Sequence, residues 1–165
     1  MDIRRMIRHL GTGQLAVRRA FPESALRAIE QAIHESEAMH AGQIRFAVEA
    51  SLDFTALHHN QTARERAIEM FSQLRVWDTE HNSGVLIYLL LADRDVEIIA
   101  DRGIHARLGN AVWEAICRDM EASFREGRFE GGVISGIRAI SNHLQQHFPA
   151  RPVALNELPD KPVVL

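Results

Sequence analysis

Three short polar segments carry the residues with the most chemistry to offer. The first, Asp78-Thr79-Glu80-His81-Asn82-Ser83-Gly84, places oxygen donors at alternate positions. A hard cation such as Ca2+ or Mg2+ needs several converging oxygens, so Asp78, Glu80 and Asn82 are candidate ligands. The segment is not an EF-hand loop, because Ser83 stands where the sharp-turn glycine belongs and Leu89 where the bidentate glutamate belongs. The second, Asp93-Arg94-Asp95, follows an apolar run. There Asp93 can ligate a cation and Arg94 can hold a phosphate. The third, Asp101-Arg102-Gly103-Ile104-His105, offers Asp101 and His105 as acid or base and Arg102 as a second phosphate holder. Each also has a plainer reading: a strand-entry loop, a charged hairpin turn, and surface ion pairs that are each worth little.

Several mechanisms are excluded by spacing. An aspartyl-nucleophile phosphatase needs DxDx[TV] followed by a crossover helix, whereas this chain has Glu97 at the last position and runs directly into a strand pattern. Cys117 sits inside a helical pattern, with Ser123 where a thiol-phosphatase loop requires arginine, so it reads as a small core hydrophobe. No HExxH occurs among the nine histidines, and the adjacent His58 and His59 point apart, which argues against zinc. Gly11-Thr12-Gly13 lacks the lysine of a phosphate loop, and the surroundings of Ser135 do not match a GxSxG elbow. A net charge of −3 gives no global attraction for DNA or RNA. One cysteine allows no intrachain disulfide.

The elements that must position these residues follow from periodicity. Residues 2–10 form a short helix with Ile3, Met6, Ile7 and Leu10 on one face and Arg4, Arg5 and Arg8 elsewhere, suited to packing on its own domain or to a membrane surface. Pro22 opens a second helix that ends near Gly42. Ile44, Phe46, Val48 and Ala50 alternate with Arg45, Ala47 and Glu49, predicting a half-buried strand. A loop over 51–60 leads to a helix from Thr62 to Leu74. Val85 to Ala92 is continuously apolar, which predicts a central strand buried on both faces. Val96 to Asp101 follows so closely that the pair must be an antiparallel hairpin. Asn110 is the expected cap of a helix ending at Gly127, and a last helix carries Val133, Ile137, Ile140, Leu144 and Phe148. This order predicts an α/β chain folded as a three-layer α/β/α sandwich, with a mixed, mostly parallel sheet and one β-hairpin. It divides into an N-terminal helical extension (1–20), a domain (21–148) and an extended or disordered, proline-rich tail (149–165). No segment approaches the roughly 20 apolar residues of a bilayer span, and the N-terminus has no secretory h-region. The expected location is cytoplasmic, peripheral to the membrane at most.

The ordered set Asn82 to Leu86, Asp93-Arg94, Val96 to Asp101, Gly103 and Phe124 to Val133 resembles the TPM domain. That family includes thylakoid-lumen proteins linked to photosystem II repair and nematode receptor accessory proteins. The resemblance covers roughly residues 21–148. It implies the same sandwich, a divalent-cation site among loop carboxylates, and the weak acid-phosphatase activity of some members. Carried onto this chain, the family pattern selects Asn82, Asp93 and Arg94, with Asp101 beside them. Two departures stand out: Arg18, Arg19 and Ala20 lie where members usually place an aspartate, and Ser83 interrupts the Asn-Gly pair. The expected function is therefore a non-enzymatic binding or accessory module for a protein partner, with Ca2+ or Mg2+ as its expected ion. The alternative is a divalent-metal-dependent phosphomonoesterase using Asp93, Asp101 and Arg94.

Overall fold

Strand and helix patterns both find their partners in the computed structural model, which describes residues 2–152 and 155–165. Two helices come first, α1 (Ile3–Gly11) and α2 (Gln14–Ala20), followed by α3 (Glu23–Glu37) and β1 (Gln43–Glu49). Then come α4 (Phe54–His58), α5 (Ala63–Gln73), β2 (Gly84–Leu90) and β3 (Asp95–Ala100). The chain continues through α6 (Arg102–Leu108), α7 (Asn110–Arg125), α8 (Phe129–His147) and a two-residue β4 (Val163–Val164). The sheet order is β3-β2-β1-β4, with β1 parallel to both β2 and β4 and β3 antiparallel to β2. The sheet is open, mixed and mostly parallel, as the sequence predicts.

The two faces of the sheet carry separate cores. Ile44, Phe46, Val48, Val85, Ile87, Leu89, Val96 and Ile98 face α2, α3, α7 and α8. Ala47, Leu86, Tyr88 and Leu90 face α4 and α5. Every residue of β2 is buried, which is why that strand shows no polar alternation. Gly84 opens it at a point where a Cβ would overlap the Val76 carbonyl oxygen.

β1 differs from the expectation of a half-buried strand, since all seven of its residues are buried. Its polar side chains are covered and paired instead. Gln43 Oε1 accepts from Glu157 N and Leu158 N, Arg45 donates to Pro159 O at 2.7 Å, and Glu49 meets Arg66 and Tyr88. The described part of the proline-rich tail supplies that cover, and residues 163–164 add the fourth strand beside β1. Residues 153–154 of the tail, and Met1 of the N-terminal extension, lie outside the described residues.

Local chemistry sets the helix ends. Thr62 and Glu65 form a reciprocal capping box at α5, a signal legible in the sequence. The segment 51–60, read as loop, contains the short α4 capped by Asp53. Asn110 does not cap α7: it is the first helical residue, after Gly109 at φ 71°. That φ is one glycine adopts without the steric penalty a Cβ brings.

Candidate functional site

β2 and β1 end together: Leu91 N and Ala92 N donate to Glu49 O and Ala50 O. The chain turns at once into β3, with Arg94 at φ 53° closing the hairpin. Left-handed backbone at a non-glycine residue is uncommon and holds the turn in one shape. Across this carboxyl edge lie α1 and α2. Met6 packs against the α4–α5 core, while Val17 is buried in the other core, so the two helices strap the end of the sheet from one layer to the other.

Asp93 is the anchor of the strap. Arg5 Nε donates to its Oδ2 at 2.9 Å, and an Arg8 guanidinium nitrogen pairs with Oδ1. His9, fully buried, completes the cluster. Its Nδ1 accepts from Leu52 N at 3.0 Å. In the neutral ring the proton therefore sits on Nε2, which lies 3.1 Å from Asp93 Oδ2 without ideal hydrogen-bond alignment. Burial holds the His9 pKa down against the opposing pull of Asp93. The Asp93 carboxyl, though partly desolvated, is held below its usual range by Arg8, Arg5 and His9. Each oxygen of this carboxylate is thus already engaged by a guanidinium group.

Beside it opens a cleft of about 650 Å³ lined by Arg8, Arg19, Arg94, Asp93, Thr12 and Phe129, among others. Neither Arg19 nor Arg94 has a carboxylate partner among the described residues. Three guanidinium groups against one neutralised carboxylate make the cleft cationic, suited to planar bidentate recognition of phosphate or carboxylate. Its position beyond the carboxyl ends of parallel strands is where open α/β sheets bind ligands.

The other sequence candidates lie at the opposite end. The hairpin reverses the chain, so Asp101 returns to the start of β2, where its N donates to Gly84 O at 2.9 Å. Asp78, Glu80 and Asn82 enter β2 at that same end. A seven-residue strand at ~3.3 Å per residue puts roughly 20 Å between this group and Asp93. One ion cannot be shared between them.

Within the amino-end group, Asp78 is paired with Arg75 at 2.7 Å, and Glu80 lies near His81. Asp101 Oδ1 accepts from Arg102 N at the start of α6, while its buried Oδ2 has no hydrogen-bond partner. Asn82, Asp101 and Arg102 line a smaller cleft of about 390 Å³ with Phe71 and Trp77. Among the described residues no three His, Cys, Asp or Glu side chains group around a point that could hold a metal ion. These residues do not fit a cation that needs six or more oxygens.

Sequence reasoning missed Arg5, Arg8 and His9 as partners of Asp93, and Arg19 as a cleft residue. No local signal links positions 5–9 to position 93. The arginines at 18 and 19 were visible as a departure from the family pattern, and that departure marks where the cleft becomes basic.

This open mixed sheet with helices on both faces and a turn-borne Asp-Arg at its carboxyl edge is the architecture of a TPM domain. The family model for the TPM domain matches residues 18–143, more than half of the chain, and the chain belongs to that family. No curated protein matches it. Its fold is similar to the NMR structure of the BA42 protein from the psychrophilic bacterium Bizionia argentinensis, with TM-score 0.76 and 26% identity over 86% of this chain and 93% of that one. It is also similar in fold to the N-terminal domain of a protein from P. gingivalis, with TM-score 0.60 and 18% identity over 74% of this chain and 76% of that one. α1, which supplies Arg5, Arg8 and His9, precedes the residues that the family model matches. No helix among the described residues is long and apolar enough to cross a membrane.

Proposed function

We propose that this TPM domain is a binding module, taking an anionic group of a partner protein into the arginine-lined cleft at the carboxyl edge. One observation supports the reading above the rest: both oxygens of Asp93 are engaged by Arg5 and Arg8, with His9 beside them, while Arg19 and Arg94 have no carboxylate partner among the described residues. A carboxylate held by two guanidinium groups does not present free oxygens to a cation, and it is too weak a base to activate water. No step of this proposal passes through a metal.

The alternative, a divalent-metal phosphomonoesterase, draws on the same arginines as phosphate holders. It needs Asp93 and Asp101 to share an ion, and their places at opposite ends of β2 and β3 weigh against that reading.

Two assays divide the readings. Hydrolysis of p-nitrophenyl phosphate with Ca2+ or Mg2+ should not exceed the buffer rate. Backbone amide shifts on titrating inorganic phosphate or a glutamate-rich peptide should cluster at residues 8–20 and 91–94 and vanish in the Arg19→Ala/Arg94→Ala variant. Metal-dependent turnover lost in Asp93→Asn, with the fold intact, would establish the hydrolase instead.

A further inference from the structure

An ordinary surface helix turns its apolar stripe to the core and its charges to water. α1 is docked the other way round. Its charged face, Arg5 and His9, is turned inward onto Asp93 and Leu52 N, and Met6 alone among its apolar side chains reaches the core. Ile3, Ile7 and Leu10, one stripe at spacings of four and three, are left 64%, 65% and 77% exposed, and Leu15 of α2 is 69% exposed. Four of the large exposed apolar side chains thus fall within one short stretch, while the others are scattered along the chain. Such a concentration marks a docking surface.

Charge says what the surface meets. α1 and α2 with their N-cap carry Arg4, Arg5, Arg8, Arg18 and Arg19 against the single acid Asp2, in a chain whose net charge is −3. Arg4, Arg18 and Arg19 are exposed and have no carboxylate partner among the described residues, and Arg8 keeps half of its side chain in solvent. Asp2 is spent capping α1, where it accepts from Arg4 N and Arg5 N. Within α1, Arg4 and Arg8 each follow a stripe residue, Ile3 and Ile7, by one position.

We propose that α1 and α2 form an interfacial anchor that lies in the headgroup layer of an anionic membrane. Ile3, Ile7, Leu10 and Leu15 enter the acyl boundary, and the exposed arginines meet lipid phosphates. The Asp93 clamp fixes the helix in the outward-facing pose before the membrane arrives, so little ordering entropy is lost on binding. The anchor shares Arg8 and Arg19 with the cleft but rests on the apolar stripe, which lines no part of the cleft.

Vesicle flotation of the full chain tests this. Binding should be at least about tenfold stronger to phosphatidylserine-containing vesicles than to pure phosphatidylcholine, and it should weaken with salt. The double substitution Ile7→Asp/Leu10→Asp should cut it by more than about tenfold with the melting temperature unchanged, because both side chains are exposed. Equal binding to neutral vesicles, no binding at low salt, or full binding by the double variant would overturn the proposal. So would concentration-dependent self-association in sedimentation velocity that the same double substitution abolishes, which would assign the stripe to a second copy of the chain.

Discussion

Single side chains at the two ends of the sheet respond to pH in opposite ways. Glu37 is half-buried, and its Oε1 accepts from Ile44 N at 2.7 Å. Burial, with the neighbouring Asp160 carboxylate adding to it, pushes the Glu37 pKa up to about 8. The folded state therefore holds a proton that the unfolded chain has lost, and stability falls as pH rises from about 4.5 to about 8. His40 runs the other way: burial lowers its pKa to about 4, so stability falls as pH drops from 6.5 toward 4. Between pH 6.5 and 8 only Glu37 of this pair acts. Glu37→Gln, which keeps the acceptor for Ile44 N, should flatten the decline in melting temperature across that window. An unchanged slope would show that Glu37 is not the group responsible. At the other end, His9 has a lowered pKa, so its protonation opposes the fold as pH drops through 6.5. The Asp93 pairs persist above the ordinary carboxylate range and are lost only as pH falls through the depressed pKa of Asp93. Asp93→Asn leaves the guanidinium groups of Arg5 and Arg8 without their counter-charge and should cost about 2–3 kcal/mol in denaturant unfolding.

At the scale of elements, β2 is the most constrained piece of the chain. Its residues face two cores, and its start is pressed against Val76. Gly84→Ala sets a Cβ against backbone oxygen, which cannot rotate away, and should destabilise by on the order of 3 kcal/mol. Leu89→Ala, fully buried mid-strand, should cost about 3 kcal/mol by chemical unfolding. On the face toward α5, Glu49 accepts from both Nε and Nη2 of Arg66 at 2.9 Å and from the Tyr88 hydroxyl at 2.5 Å. This network ties α5 to β1 and β2 through charge-assisted bonds. Arg66→Ala leaves Glu49 mostly buried and uncompensated, and about 3 kcal/mol should be lost. Arg66→Met/Glu49→Leu, which removes both charges, should recover much of that loss. A double variant no better than the single one would show that packing of Arg66, not its charge, holds the helix.

Taken whole, the molecule is a sheet whose carboxyl edge is strapped by its own N-terminal helices. That strap changes the character of the edge. The Asp-Arg turn of a TPM domain supplies one carboxylate, and α1, from outside the residues that the family model matches, neutralises it. Removing residues 2–13 should therefore free Asp93, expose the face of the α4–α5 core that Met6 touches, and lower the cleft's affinity for inorganic phosphate through loss of Arg8. Phosphate affinity unchanged by the deletion would place the anion site elsewhere.

Periodicity determined the layers and the hairpin: one strand apolar on every residue, another following after too few residues for a crossover, and helices with single apolar stripes. The ordered motif pieces identified the family. These are local signals, written within a few residues of where they act. The tertiary structure alone decided which polar residues meet. Antiparallel return of β3 carried Asp101 away from Asp93, and long-range contacts brought Arg5, Arg8 and His9 onto Asp93 across more than eighty residues of chain. The same kind of contact buried Gln43, Arg45 and Glu49 in a strand that reads as half exposed. An ion pair between distant positions leaves no periodicity in either partner's segment, because its energy depends on one distance that only the folded backbone sets.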